Sequence, residues 1–160
     1  MTKRRMIQPS AVVCAFATLV LLTISAASQE KKIKSSDLPA AVQTTVTSQS
    51  LGATLRGLSV EKEKGKTYYE AELLVSGHSK DVLIDPQGNI VEVEEEVALD
   101  TLPSAVRDGL QAKAAGGKVV KVESLTKQGK LVAYEAQVIT KGKKSEIQVG
   151  ADGKPLDHEE

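Results

Sequence analysis

The feature that most constrains the fold of this chain is an internal repeat. The segment Asp37–Val42 (DLPAAV) recurs 64 residues later as Thr101–Val106 (TLPSAV). A Tyr-Glu-Ala triplet at 69–71 recurs 65 residues later at 134–136. Matches in the same order and at a nearly constant offset indicate one supersecondary unit that occurs twice. The chain is therefore predicted to fold from two similar units.

Each copy reads as one helix followed by strands. The helix begins at a Leu-Pro pair, where proline suits the first turn, and apolar residues follow at intervals of four to give one buried stripe. Strict alternation around each Tyr-Glu-Ala triplet predicts strands with one covered face, which places Tyr69 and Tyr134 under the helices. The predicted fold class is α+β, with two tandem repeats, 36–96 and 97–160, each one helix packed on a four-stranded antiparallel sheet. The last strand of each sheet is predicted at Ile90–Glu96 and at 154–159.

The N-terminal residues 1–27 have the pattern of a secretory signal peptide. A basic start (Lys3, Arg4, Arg5) precedes an uncharged run at 11–24, and small residues follow up to Ala27. The alternatives are an uncleaved anchor, although the run is shorter than the roughly 20 residues of a spanning helix, and a lipoprotein that is modified at Cys14. Cleavage after Ala27, or after Ser28, predicts a secreted or periplasmic protein with no stable membrane insertion after cleavage.

Composition excludes several classes of function. The 160 residues include one Cys, two His and no Trp, with 21 basic and 21 acidic side chains. A disulfide framework needs paired cysteines, and a structural zinc site needs about four clustered ligands. A nucleic-acid-binding protein usually shows a basic excess with stacking aromatic residues. The sequence therefore predicts no disulfide framework, no metal centre of the zinc type, no cofactor and no nucleic-acid partner.

The signal pattern, the DLPAAV helix start, the Tyr-Glu-Ala strand and the hairpin IDPQGNIVEVEEE, followed by a second such unit, resemble the PepSY-like family. That family is also described as β-lactamase-inhibitor-like. The resemblance covers about residues 36–160 and implies a small exported bacterial protein. PepSY domains proper are associated with peptidase propeptides, so the resemblance further implies a protein-binding surface and inhibition of a peptidase. The shared motifs are fold motifs, and no contact residue is carried over.

Two segments were considered as chemical sites. The run Ser76–Asp81 contains Ser, His and Asp, but a serine nucleophile needs Gly-x-Ser-x-Gly between a strand and a helix, so a polar turn is the better interpretation. The hairpin that begins at Asp85 and continues to Glu96 has oxygen ligands at calcium-loop spacing, but Ile90 stands where the sharp turn needs glycine. The sequence thus predicts a protein that is not an enzyme and has no catalytic residues.

Charge is divided unevenly between the two copies. Residues 36–96 hold 5 basic and 11 acidic groups, net −6, whereas residues 97–160 hold 10 and 9, net +1. Such an asymmetry either steers a basic partner toward the first copy or only aids solubility. Weak binding of a divalent cation or another cationic ligand at the acidic edge of the first repeat is the alternative function. That edge comprises Glu92, Glu94, Glu95 and Glu96.

The predicted working surface is the sheet face that alternation turns away from the helices. The face mixes apolar and charged groups, and tyrosine is frequent at interface hot spots. The candidate contact residues for a protein partner are Tyr68, Glu70, Glu72, Leu74 and Ile139. The leading hypothesis is an exported, non-enzymatic protein-binding module that inhibits a peptidase or another envelope or extracellular enzyme.

Overall fold

The computed structural model describes residues 30–63 and 65–160. The predicted signal peptide, 1–27, lies outside the described residues. Two α-helices and eight β-strands are present in these ranges. In chain order they are β1 Lys31–Lys32, α1 Ala40–Gln49, β2 Thr54–Glu63, β3 Lys66–Val75, β4 His78–Ile84, β5 Ile90–Glu96, α2 Ser104–Ala114, β6 Lys118–Lys127, β7 Lys130–Thr140 and β8 Lys143–Gly150.

The predicted fold class was wrong. The strands do not form two four-stranded sheets, because β1 to β8 pair in chain order to build one antiparallel eight-stranded sheet. The chain is mostly β, with two helices in the described ranges. The charged side chains of β5 are typical of an edge strand and therefore predict two separate sheets, but β6 pairs with β5 from Glu92↔Lys127 to Glu96↔Glu123. Periodicity identifies a strand and its faces, but it does not identify the neighbouring strands.

The last predicted strand is also absent. Residues 154–159 form no strand, although Gly150 N–H donates to the Lys154 carbonyl oxygen at 2.8 Å and begins the chain reversal as in a hairpin. Pro155 then lacks a backbone N–H, and the residues after it lack the β-branched alternation of β5. The chain instead leaves the plane of the sheet.

Both helices pack on the same face of the sheet. The cluster under α1 includes Val42, Leu73 and Ile84, and the cluster under α2 includes Leu110 and Val149. The two clusters share no residue, and the register across β5 and β6 places them on one side. The predicted positions of the tyrosines are confirmed in kind: Tyr134 is buried in the second cluster, and Tyr69 packs against the first.

Candidate functional site

The opposite side of the sheet, named here the open face, carries no helix. Alternation along each strand and the cross-strand register together identify its residues. Acidic side chains dominate this face. They are Glu61, Glu63, Glu70, Glu72, Asp81, Glu92, Glu94, Glu96, Glu123, Glu135 and Glu146.

The C-terminal segment 154–160 covers part of the open face over β6 to β8. Leu125 and Ala133 are 2% and 0% exposed there, although they face away from the helices. A Cβ placed at Gly150 would lie 3.4 Å from a methyl carbon of Leu156, which locates that side chain on this face. The backbone N–H of Glu160 also donates to Gln148 Oε1 at 2.9 Å. The second half of the sheet is therefore partly covered by its own chain.

The open face has three adjoining depressions along β3 and β4, named here the trough, and the first of them also reaches Lys127, Val132 and Glu160. A groove of about 850 Å³ lies at the end where Tyr68, Leu83 and Glu92 meet. A central depression of about 170 Å³ shares Leu83 and Glu92 with that groove and adds Glu70 and Asp81. The third, about 380 Å³, shares Glu70 and Asp81 with the centre. The shared lining residues make the three depressions continuous along β3 and β4.

Three carboxylates from three strands converge beside the trough. One oxygen each of Asp81, Glu94 and Glu123 lies within 4.8 Å of the other two. Glu123 is nearly buried and is paired with Lys121 Nζ at 2.6 Å. These groups could hold a cation, because carboxylate oxygens are the preferred ligands of Ca²⁺ and of ammonium groups.

Burial and mutual repulsion shift the pKa values of this cluster. Partial burial, followed by repulsion from Glu135 and Glu123, raises the pKa of Glu94 to about 8. Partial burial, followed by repulsion from Glu123, raises the pKa of Asp81 to about 6. Although burial opposes it, the hydrogen bond to Glu123 raises the pKa of Lys121. The cluster thus holds carboxyl groups whose charge is costly without a cation.

Other carboxylates of the open face have neutral or basic partners. Ser59 Oγ donates to Glu70 at 2.9 Å, Gln148 Nε2 donates to Glu135 at 2.8 Å, and Lys127 Nζ lies 3.6 Å from Glu92. Burial raises the pKa of all three carboxyls, and these partners oppose the shift. The charge is therefore least compensated at Asp81 and Glu94.

The structure places most predicted contact residues in one region of the open face. Tyr68 lines the large groove, whereas Glu70, Glu72 and Leu74 line the third depression. Ile139 lies on the same face, but on β7 and at the opposite end of the strands, where it pairs with Lys118 and Lys144. The predicted patch is thus divided: four residues belong to the trough and Ile139 does not.

The acidic edge of the first repeat was described wrongly by the sequence. Strand β5 lies between β4 and β6, so it is a central strand. Glu95 points to the helix side, where Lys80 Nζ lies 2.8 Å from its carboxylate. Glu92, Glu94 and Glu96 remain together on the open face. Of the predicted edge only Glu94 belongs to the converging cluster, and its partners Asp81 and Glu123 were missed by sequence reasoning because their approach depends on cross-strand register.

The two chemical segments of the sequence have structural partners in the fold. In the first, His78 Nδ1 lies 3.8 Å from Glu96, and Ser79 donates to that carboxylate from its backbone N–H at 3.1 Å. In the second, Asp85 accepts bonds from the backbone N–H groups of Gln87 and Asn89, both at 2.9 Å. The carboxylate of Asp85 therefore closes its own turn and does not share a loop site with Glu96.

Comparison with known proteins gives relatives by fold. Within residues 30–63 and 65–160, neither helix has the length and apolar character needed to cross a membrane. No protein-family model and no curated protein sequence matches the chain. Among solved structures, a protein from Bacteroides eggerthii described as periplasmic is similar with TM-score 0.61 and 23% identity, covering 74% of this chain and 86% of the other.

Two further solved structures share this architecture. A DUF2874 family protein from Bacteroides uniformis matches with TM-score 0.57 and 24% identity, over 72% of this chain and 84% of the other. A BLIP-like protein from Bacteroides fragilis matches with TM-score 0.53 and 24% identity, over 72% and 81%. At these identities the likeness concerns the fold, and the chain shares the fold of a BLIP-like protein.

Proposed function

We propose that this chain is an exported, non-enzymatic protein-binding module that uses the trough as its contact surface. One observation carries the proposal: the first half of the sheet has a helix-free face on which an aromatic ring, Tyr68, and aliphatic side chains, Leu74 and Leu83, lie among carboxylates. A mixture of apolar anchors and a charged rim is the usual anatomy of a protein interface. The BLIP-like neighbour supports this class of function by analogy of fold.

Export to the periplasm or the extracellular space is part of the proposal. The pattern of residues 1–27 supports it, as does the periplasmic description of a protein with a similar fold. Intact-mass analysis of the protein from its native host should show a chain that begins at Ser28 or Gln29. A mass that includes residues 1–27 would contradict cleavage.

The proposed partner is a peptidase or another envelope or extracellular enzyme, which the module inhibits. The PepSY-like resemblance supports this partner class, because PepSY domains proper are associated with peptidase propeptides. A captured enzyme, once identified, should lose activity in proportion to the added wild-type module. It should keep its activity when Tyr68→Ala is added instead. Binding without any change in enzyme activity would support protein binding and contradict inhibition.

Capture with matched variants tests the contact surface. The mature protein would be immobilised and exposed to envelope and culture fractions of the host, in parallel with Tyr68→Ala and with Gln43→Ala, an exposed position on α1. We expect specific proteins on the wild type and on Gln43→Ala, and a loss of most of that signal on Tyr68→Ala. Equal capture by all three would contradict the proposed surface.

A stability control separates contact from folding. Tyr68→Ala should leave the melting temperature nearly unchanged, because its ring lines a solvent-filled groove. Tyr69→Ala should lower it, since Tyr69 packs against the first core cluster and its truncation opens a cavity. Equal thermal losses would show that the effect of Tyr68→Ala on capture is structural.

A divalent cation is a second candidate ligand. The convergence of Asp81, Glu94 and Glu123 favours it, whereas the ion pair of Glu123 with Lys121 already supplies one positive charge to the cluster. Calorimetry with calcium chloride should show saturable binding at millimolar or lower concentration that Glu94→Gln abolishes. Heat that persists in Glu94→Gln would place any calcium elsewhere on the chain.

A further inference from the structure

The carboxylates of the trough repeat with the spacing of an extended chain. Glu70 and Glu72 alternate along β3, and Glu92, Glu94 and Glu96 alternate along β5. Successive side chains on one face of a strand are about 6.8 Å apart. An extended peptide laid along these strands presents every second side chain to the face with the same spacing.

The centre of the trough has carboxyl groups without a cationic partner at ion-pair distance among the described residues. Asp81 and Glu94 make no hydrogen bond or ion pair with the residues in 30–63 and 65–160, and both are half-buried. Lys121 shows how this face holds a cation, because its ammonium lies 2.6 Å from Glu123 and is also attracted by Asp81. A second ammonium or guanidinium group would meet carboxyl oxygens in the same way beside Glu94 and Asp81, on the neighbouring strands β5 and β4.

The second half shows that this side of the sheet accommodates a chain segment and pairs one of its charges. Segment 154–160 lies there, and the carboxylate of Glu160 is 3.7 Å from Lys127 Nζ. Its backbone N–H also bonds to Gln148. Lys127 thus pairs with a carboxylate of the covering segment, whereas Asp81 and Glu94 have no ion-pair partner among the described residues.

We propose that the trough binds an extended segment of a protein partner that carries lysine or arginine at alternate positions and an apolar side chain at the Tyr68 end. From Tyr68 to Leu74 the trough follows β3 for about 20 Å, which accommodates about seven extended residues. The basic side chains face the carboxylates of β3 and β5, and the apolar side chain enters the groove beside Leu83. This inference rests on the proposed protein-binding function and names the chemistry of the partner.

Two peptides of equal charge and composition provide the test. One alternates, Leu-Ser-Lys-Ser-Lys-Ser-Lys, so that its leucine and lysines share one face of the extended chain, and the other has the same residues in blocks, Leu-Ser-Ser-Ser-Lys-Lys-Lys. Calorimetry at low salt would compare them on the wild-type mature chain. We expect the alternating peptide to bind on the order of tenfold more tightly, because only its spacing lets each lysine reach a carboxylate.

Variants on the two faces of the sheet make the test specific. Glu72→Gln removes a trough carboxylate, and Glu95→Gln is its matched control because Glu95 lies on the helix side and is paired with Lys80. Binding of the alternating peptide should fall on the order of tenfold in Glu72→Gln and stay unchanged in Glu95→Gln. Binding should also release protons, because a cation beside Glu94 lowers the pKa of that carboxyl. Buffers of different ionisation enthalpy would measure this release.

The outcomes separate this inference from the function on which it rests. Equal affinity for both peptides, or equal loss in Glu72→Gln and Glu95→Gln, would show non-specific attraction and overturn the basic segment. Calcium binding that Glu94→Gln abolishes, with no heat from either peptide, would overturn it in favour of a metal ion. In either case, capture of a partner that depends on Tyr68 would still support the protein-binding module.

Discussion

The two halves of the sheet bury one face in the same way and use the other face differently. Each helix covers a cluster of aliphatic residues, and each begins after a Leu-Pro pair, at Leu38 or at Leu102. On the open face, by contrast, the first half carries the trough, and the second half is partly covered by segment 154–160. The two halves thus share a packing face covered by a helix and differ on the opposite face.

The contact between helix and hairpin also differs between the halves. In the first half, Thr45 Oγ1 donates to the Gly88 carbonyl oxygen at 2.6 Å. In the second half, Gly109 occupies the equivalent helix position, and a Cβ there would collide with the Gly153 carbonyl oxygen. In both halves the hairpin glycine, Gly88 or Gly153, lies close to the helix backbone; the first half adds a side-chain hydrogen bond, and the second has a glycine on the helix as well.

The largest expected effect comes from breaking the two cores separately. Leu38→Ala and Leu102→Ala should each lower the free energy of unfolding by about 2–5 kcal/mol, because each removes a buried side chain from one cluster. The clusters share no residue, but β5 and β6 are hydrogen-bonded neighbours in one sheet. We therefore expect one calorimetric transition that shifts downward in both variants. Two transitions, of which only one moves, would show that the halves unfold independently.

A second experiment targets the contact between helix and hairpin. Gly109→Ala should destabilise the protein by about 2 kcal/mol, because displacement of the Gly153 backbone outweighs the roughly 1 kcal/mol that alanine gains over glycine in a helix. Thr45→Ala should cost about 1 kcal/mol, the usual value of one hydrogen bond. Urea unfolding of both variants measures the difference. A stabilising effect of Gly109→Ala would show that the Gly153 backbone can move away from α2 at little cost, and it would contradict a tight contact there.

The sequence was sufficient for the packing face and insufficient for the open face. Spacing of Leu38, Val42 and Val46 predicted which side of α1 is buried, because an i, i+4 stripe depends only on local geometry. The pairing of β5 with β6 could not be read in this way, since lateral order in a sheet arises from contacts between residues distant in sequence. The prediction of a strand at 154–159 was wrong. It depended on the sequence match to β5, and Pro155 does not favour a strand there.

The same limit applied to the candidate site. Alternation predicted that Tyr68, Glu70, Glu72 and Leu74 share a face, and the structure places them along one strand of the trough. The convergence of Asp81, Glu94 and Glu123 needs the register of three strands, which no single-strand pattern contains. The shifted pKa values follow from that convergence and were therefore also inaccessible from the sequence.

The carboxyl groups in the trough of the first half should make the stability of the protein depend on pH. The pKa of Glu94 is raised to about 8, so between about pH 5 and pH 8 the folded state keeps a proton that the unfolded state releases. The free energy of unfolding should therefore decrease as the pH rises through this window. Asp81, with its pKa raised to about 6, contributes in the same direction up to that pH. Urea titrations at a series of pH values measure the slope.

Replacement of the carboxyl tests the assignment of that slope. Glu94→Gln should stabilise the protein by about 1–2 kcal/mol at pH 8, less than the full shift implies because solvent screens a partly exposed group. It should also flatten the dependence on pH. Glu95→Gln, on the other face of the same strand, should change stability by less than about 0.5 kcal/mol and keep the slope. A slope retained in Glu94→Gln would place the titrating group elsewhere.

The smallest effect concerns the covered part of the second half. Leu156 lies against the open face at Gly150, beside Leu125 and Ala133, which are nearly inaccessible to solvent. Because Leu156 is only partly buried, Leu156→Ala should cost about 1 kcal/mol, below the value for a fully buried leucine. Leu51→Ala is the control, since Leu51 is 80% exposed and should cost less than about 0.5 kcal/mol. If both variants had equal stability, segment 154–160 would not protect the second half, and the contrast between a covered and an uncovered face would be lost. If Leu156→Ala alone loses stability while binding of the alternating peptide is unchanged, the packing of Leu156 does not determine binding, although Glu160 of the same segment lines the trough.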